Sequence, residues 1–499
     1  MTAALVLVFA VAILAASFGI GFWAQKKVTS PEAFLGGSRI FGPFAIGLST
    51  MAAVASAFAI VGVPGATYRF GTTIFLFVMC APGFALGYLI IGKKLRAIAQ
   101  LGPVVSLGDV ADLRFEGNRG IKALLSIMLF VGCVMYLAAQ VTAGAEMFQV
   151  LLGIPSIVAA FVIFGVLIVY TILSGEVGGI LTQAFQGLIM VVAGLIIVIA
   201  FFAEVGGIGA VLESVSAAGT VSGPAGEKTF SPDMLNAWGS LPRSYAVTWV
   251  LLPVFGIMCQ PQVMIRIMAL KSPLDMPRLC VYATVANVLV GFMVVIMGFA
   301  ALHMVAIGAI PPFERPDEAV FQVAGHLGLI AELFLYSAVL AAALSTSSMF
   351  LTLAGTVVSR DFLGALGVHL STEKQVSVAK ASMALLGLLA IGLSASSGQM
   401  VAILGTYGFG TLTVATFPVL VIGLLWQRTT GTGALAGLAA ALALTSFSII
   451  AEQVSTWRWP GGMPWYVHVL TISIVVTVAT SLLTPARSLA PKVRRAMEL

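Results

Sequence analysis

The chain has 499 residues, 60% of them hydrophobic and only 9% charged, with a mean hydropathy of +1.08. A soluble domain carries roughly 25% charged residues, so this composition excludes a soluble globular protein and indicates a polytopic membrane protein. The formal net charge is +6, and the placement of those charges, given below, makes the basic excess a matter of topology and excludes a nucleic-acid patch.

The first apolar span covers residues 3–23 and is followed by Lys26 and Lys27. A signal peptide carries its positive charge ahead of the apolar region, so this span reads as retained, with the N-terminus outside. Further spans fall at about 42–70, 74–92, 123–152, 154–174 and 180–203, and a basic loop at 93–122 holds Arg96, Arg114 and Arg119. A polar segment at 204–240 carries Glu204, Glu213, Glu227 and Asp233. The later spans fall at about 245–270, 279–306, 327–358, 377–393, 401–426, 433–451 and 467–483, which makes thirteen. Each is long enough for a hydrocarbon core of about 30 Å.

Threading these spans from an outside N-terminus puts most basic residues in or beside cytoplasmic loops, among them Lys271, Arg278, Arg360, Lys374, Lys380 and Arg428. Arg69, Lys228, Arg243, Arg315 and Arg458 are left outside, together with the acidic 204–240 segment. That asymmetry is what the positive-inside rule requires of a multi-pass plasma-membrane protein whose C-terminus is cytoplasmic. The four cysteines (Cys80, Cys133, Cys259, Cys280) lie in or at the edge of apolar runs, and the four histidines show no ligand spacing. With no nucleotide loop, nucleophile elbow or metal-protease motif, an enzyme has nothing to stand on.

Two spans are poor continuous helices. Span two combines the small-residue run 48–57 with Gly62-Val63-Pro64-Gly65, and span seven contains Pro253, Gly256 and Cys259-Gln260-Pro261-Gln262. An interior proline removes a helical hydrogen bond, and freed carbonyls are tolerated in a membrane only where protein or a wet cavity receives them. The broken spans stand five apart, and breaks in corresponding positions point to an inverted-repeat transporter with its site between them. The expected organisation is a first span and loop at 1–40, a five-helix repeat at 41–204, a loop at 205–240, a second five-helix repeat at 241–427, and two spans with a basic tail at 428–499.

Span nine carries Leu-Ala-Ala-Ala-Leu-Ser-Thr-Ser-Ser-Met at 340–349. Ala342, Ser345 and Thr346 stand at i, i+3 and i+4, on one helix face. Closely spaced neutral oxygens suit a monovalent cation. Small and hydroxylated residues also pack helices together, so this segment alone leaves both uses open.

Several stretches resemble the sodium:solute symporter family. They are Phe34-Leu35-Gly36-Gly37-Ser38-Arg39, Gly62-Val63-Pro64-Gly65-Ala66, Ser106-Leu107-Gly108-Asp109 through Arg114-Phe115, Ala143-Gly144-Ala145, Gln260-Pro261 with Arg266, Leu344-Ser345-Thr346, and Arg360-Asp361. Their order and spacing cover residues 10–450, and Gly65-Ala66-Thr67-Tyr68 with Gly153-Ile154-Pro155 leans toward the pantothenate and monocarboxylate branch.

The resemblance implies an all-α leucine-transporter-type fold of five plus five inverted helices, one extra helix before it and two after. It also implies a sodium site at the carbonyls of Ala52, Ala55 and Ala342 with the hydroxyls of Ser345 and Thr346. Two family carboxylates are replaced here, by Val54 in span two and Gln183 in span six. Neutral oxygens still bind sodium, which stays the expected coupling ion; protons are the alternative, with Glu146 as the acid nearest mid-membrane. For Glu146 a place near the outer end of its span is the competing reading.

The solute pocket is expected between the breaks, near Met51, Pro253, Phe255, Ile257 and Gln260, and suits a small, partly apolar solute. A carboxylate would rest on freed N–H groups at a half-helix N-terminus; Gln260 would donate to the solute or cap the break. The expected activity is sodium-driven uptake of a monocarboxylate or a pantothenate- or proline-like compound, by a monomer or weak homo-oligomer. A non-transporting membrane sensor is the lesser alternative.

Overall fold

The computed structural model describes residues 2–25, 39–72, 83–224, 226–486 and 488–499. Among these, nine helices are long and apolar enough to cross a bilayer, and two bent pairs bring the number to eleven. Of the other two expected spans, the fifth holds the 17-residue apolar helix Ser156–Ile172. The third keeps only its second half, Phe84–Gly87 and Tyr88–Gly92; residues 74–82 lie outside the described part, as do 34–38 of the first family-like stretch and Cys80.

Spans five and six run as one helical stretch, Ser156–Val205. Nevertheless the Tyr170 hydroxyl donates to the Thr182 hydroxyl, 12 residues on. Twelve residues of straight helix rise about 18 Å, beyond the reach of those side chains. The chain therefore folds back between them, as two spans require.

The bent pairs are the two spans with interior prolines. Span two is Pro43–Val54 followed by Phe58–Phe70 at 51°, and span seven is Arg243–Cys259 followed by Pro261–Ala269 at 40°. Pro64 has no N–H, and the turn ahead of it relaxes into a π turn, Phe58–Gly62. In span seven a π turn over Leu252–Gly256 leads into the 3-10 turn Ile257–Cys259. Gln260 is then extended (φ −76°, ψ 122°), as a residue before proline prefers, and Pro261 opens the second half at the position where a proline fits a helix.

Span nine, Leu329–Thr356, is buried almost throughout. It packs against spans one, two, four and ten and against the helical stretch Ser156–Val205. A side chain at Gly187 in span six would stand 2.7 Å from the Leu48 carbonyl and 3.3 Å from the Ala52 Cβ, so glycine there lets span six close on span two. Cys133, Cys259 and Cys280 are buried and free.

The 204–240 segment holds the helix Ile208–Ala217 and a hairpin of β1, Thr220–Gly223, and β2, Gly226–Thr229, paired from Thr220↔Thr229 to Gly223↔Gly226. Lys228 Nζ donates to the Tyr68 carbonyl at 2.7 Å and lies 4.5 Å over the Tyr68 ring, which stacks on Phe313. The hairpin is thereby docked on the end of span two. Burial, then the nearby Arg69, pushes the Lys228 ammonium down to about 8.

The opposite face of the molecule is basic and closed. Phe41 and Leu270 form a parallel bridge between the ends of spans two and seven, and Lys271 N–H donates to the Phe41 carbonyl at 2.9 Å. Arg96 Nε donates to the Leu270 carbonyl at 2.7 Å. In the adjoining loop Ser106 and Asp109 form a capping box on helix Leu107–Phe115. Ser106 Oγ donates to Asp361 at 2.6 Å, and Arg360 Nε donates to Asp109 at 2.9 Å. These bonds tie the family-like loop to the end of span nine.

Candidate functional site

The first half of span two stops at Val54, and the chain around Ala55 redirects its hydrogen bonds. Ser56 N–H donates to the Val54 carbonyl rather than to that of Ala52, and Ala59 N–H donates to the Ser56 carbonyl rather than to that of Ala55. Ala57 N–H, the helical donor for the Ala53 carbonyl, goes instead to Gln140 Oε1 of span four at 2.9 Å. Tyr136 of the same span holds the Ser56 hydroxyl at 3.1 Å. The carbonyls of Ala52, Ala53 and Ala55 are thus released from the ladder while the break itself is held by span four.

Span nine meets two of the three released carbonyls. Ser345 Oγ lies 2.7 Å from the Ala52 carbonyl and 3.1 Å from that of Ala342, and Thr346 Oγ1 lies 3.4 Å from the carbonyls of Ala52 and Ala53. Both side chains are fully buried. The structure therefore brings together Ala52, Ala342, Ser345 and Thr346 of the expected set and adds the Ala53 carbonyl. Among the described contacts none joins the Ala55 carbonyl to span nine. Two hydroxyls and three carbonyls in a buried pocket form a neutral oxygen cluster of the kind that holds a desolvated monovalent cation. A cation there would take the lone pairs of Ser345, whose proton would then turn to the Ala342 carbonyl.

One turn toward the basic face, Gln183 joins spans two, six, seven and nine. Its Oε1 accepts from Ser49 Oγ at 3.3 Å and from Arg266, and its Nε2 donates to Ser348 Oγ at 3.0 Å. Ser348 Oγ in turn donates to the Ser345 carbonyl at 3.0 Å. Arg266 is fully buried and forms an ion pair with Glu176, which is 3% exposed. This pair was not singled out from sequence, where Glu176 falls in the expected turn between spans five and six. The usable signal was an acid within a long apolar run. Glu146 has a different setting: it lies toward the hairpin face and pairs with Arg315 at 3.2 Å, which also binds Glu318.

The second break is tied to span eleven. Thr416 Oγ1 donates to the Cys259 carbonyl at 2.5 Å. Gln260 Nε2 donates to the Phe409 carbonyl at 3.3 Å and to Thr413 Oγ1 at 3.1 Å, and its Oε1 accepts from Gln262. Gln260 therefore pins span seven to span eleven, and its side chain makes no capping hydrogen bond to the second half-helix. Of the other expected pocket residues, Met51 and Ile257 are enclosed, whereas Phe255 is 47% exposed and lines an apolar cleft between spans seven, eleven and thirteen. The side chain of Pro253 lies outside the described part.

On the hairpin face Asp317 Oδ2 accepts the Val401 N–H that opens span eleven, at 3.0 Å. Burial pushes its carboxyl up to about 7; that N–H opposes the shift and Glu146 adds to it.

A family model described as the sodium:solute symporter family matches residues 34–440. The osmoregulated proline transporter OpuE of Bacillus subtilis (strain 168) is 24% identical over 471 residues, 92% of each chain. The sodium/pantothenate symporter of Escherichia coli (strain K12) is 26% identical over 446 residues, 86% of this chain and 87% of that one. Among solved structures, a Na+-coupled sialic acid symporter in a substrate-bound outward-open state superposes with a TM-score of 0.75 at 17% identity, covering 97% of this chain and 99% of that one. Mhp1, a nucleobase-cation-symport-1 family transporter, gives 0.53 at 16% identity, over 93% and 97% of the two chains. The fold is the all-α, leucine-transporter-type inverted repeat.

Proposed function

Given that the chain belongs to the sodium:solute symporter family, we propose that it is a secondary active symporter that couples inward sodium movement to uptake of a small organic solute. The observation that carries this reading is the meeting of Ser345 and Thr346 with the released carbonyls of span two. Sodium is held there by the carbonyls of Ala52, Ala55 and Ala342 and the two hydroxyls. The site lacks the carboxylate that resemblance would place at Val54, and the inward path lacks the one at Gln183; Gln183 presents an amide and Glu176 supplies the buried charge. One elementary charge crossing 100 mV releases about 2.3 kcal/mol, enough for a solute gradient of roughly fifty.

The hairpin face is the outer face and the basic face is cytoplasmic, so that spans two to six and seven to eleven form the two repeats. The solute is a monocarboxylate or a pantothenate- or proline-like compound, in keeping with the transporters of proline and pantothenate among the relatives. It binds between the breaks near Met51 and Ile257 once the structure opens. The test is uptake into proteoliposomes with imposed gradients. Sodium should stimulate uptake, and Ser345→Ala or Thr346→Ala should abolish that stimulation. Equal uptake at zero sodium sinks sodium coupling, and dependence on a proton gradient transfers the coupling to protons.

A further inference from the structure

One cavity lies away from both breaks. It has a volume of about 720 Å³ and opens on the hairpin face between spans seven and ten to thirteen, with Met135 of span four among its lining. Tyr245, Tyr407, Trp459 and Trp465 supply aromatic walls, and Glu452 and Arg458 supply charge. The aromatic walls are fixed before any ligand arrives. Trp459 stacks on His468 with 4.9 Å between ring centroids and donates from Nε1 to Ser448 Oγ at 2.9 Å, while Tyr407 meets Trp465 edge-on at 6.1 Å.

Two groups in this cavity are incompletely satisfied. Glu452 accepts a hydrogen bond from the Tyr407 hydroxyl at 2.7 Å, and no salt bridge among the described residues joins it to Arg458, which lines the same cavity. Trp465 is 1% exposed, and its indole N–H has no partner among the described residues. At the rim the Arg458 side chain is steadied by the carbonyls of Ser455 and Trp457. It keeps further N–H groups for an anion. An unneutralised carboxylate among preorganised aromatic faces attracts an organic cation. Rings alone would take any apolar solute, whereas the carboxylate rejects an anion that lacks a positive centre. The volume is in the range of small-molecule sites.

We propose that this cavity is a second solute-binding site, which takes a small organic ammonium zwitterion with its cationic nitrogen against Glu452 and Tyr407 and its carboxylate toward Arg458 and the unpartnered Trp465 N–H. The site rests on the symport reading for its place on the uptake route. Met135 in its lining precedes Tyr136, which holds the Ser56 hydroxyl at the first break. A solute captured here stands over the helix that supports the ion site. The site also narrows the substrate class: proline carries the required ammonium, and pantothenate does not.

The experiment is a fluorescence titration of the purified full chain in detergent with L-proline, choline, dimethylbutanol (the uncharged carbon isostere of choline) and pantothenate. Proline and choline should give a saturable change in tryptophan emission, and dimethylbutanol and pantothenate should not. In Glu452→Gln the response should be about tenfold weaker, the loss of one charge-assisted contact. Trp459→Phe should reduce the amplitude. Equal responses to choline and dimethylbutanol on the wild-type chain overturn the proposal whether or not the variants fold. So does an undiminished response in Glu452→Gln, or none to either ammonium probe. Sodium-independent uptake would sink the symport reading and leave this titration standing, so the two failures are distinguishable.

Discussion

The two broken spans are alike in sequence and unlike in how their freed backbone groups are received. At span two the carbonyls of Ala52 and Ala53 leave the ladder and, among the described contacts, meet the hydroxyls of Ser345 and Thr346. At span seven the Cys259 carbonyl is taken by Thr416, and Gln260 is spent on span eleven and Gln262. A proline or a run of small residues marks where a helix opens, but the function of the opening depends on whether its neighbours satisfy it. The first break is supported from behind by Tyr136 and Gln140 and left open in front. At the second, span eleven takes up the Cys259 carbonyl and the Gln260 amide, while Gln262 Oε1 is buried with no partner among the described residues.

The largest effect should come from the anchor of span seven. Glu176→Ala leaves the fully buried Arg266 guanidinium without its carboxylate, and breaking one partner of a buried pair costs about 3–5 kcal/mol. The thermal midpoint of Glu176→Ala should fall by several degrees with or without sodium; an unchanged midpoint would show the pair to be solvated. Next, Thr416→Val leaves the buried Cys259 carbonyl unsatisfied at a cost of about 1–3 kcal/mol. Its midpoint should fall while the sodium-induced rise in midpoint persists. Loss of that rise would place the ion at the second break.

Ser345→Ala should differ in its response to sodium. It removes the hydroxyl that donates to the buried Ala52 carbonyl, so its sodium-free midpoint should fall by an amount comparable to that of Thr416→Val, about 1–3 kcal/mol, and of the two it alone should erase the sodium-dependent rise. That rise is worth about 2.7 kcal/mol when sodium is at a hundred times its dissociation constant. The smallest effect belongs to the outer face. The Asp317 carboxyl is pushed up from 3.8 to about 7, chiefly by burial. A folded-state value above the unfolded one contributes stability that is fully present below pH 3.8 and is lost as the pH rises through 7. The midpoint should therefore be slightly higher at pH 5 than at pH 8, and Asp317→Asn should flatten the difference. A dependence of opposite sign would mean that Asp317 is held ionised.

Much of this was legible in the sequence because prolines, glycines and small residues act locally. The breaks near Ala55 and Gln260, and the shared face of Ala342, Ser345 and Thr346, follow from residue types and from spacing along one helix. The rest depends on which face of an apolar helix meets protein and which meets lipid. Hydropathy cannot separate these when both faces are equally apolar, so the exposure of Phe255 and the enclosure of Ile257 could not be read from their order. Glu176 was hidden for a related reason: an acid beside a turn needs no partner, and only the fold carries Arg266 to it. Gln183 was legible as a substitution for an acid, but its bonds to Ser49, Ser348 and Arg266 join residues far apart in the chain.

The partner that satisfies the first break lies 293 residues downstream of Ala52. At a synthesis rate of about 5–20 residues per second, the Ala52 carbonyl waits roughly 15–60 s before Ser345 exists. For that interval the nascent first repeat sits in the membrane with an open backbone, where an unsatisfied polar group is costly. The interval makes the half-made chain a natural target for the quality-control machinery. Substitutions at Ser345 would then be felt during biogenesis, in the fraction of chains that survive insertion, as well as in the finished protein.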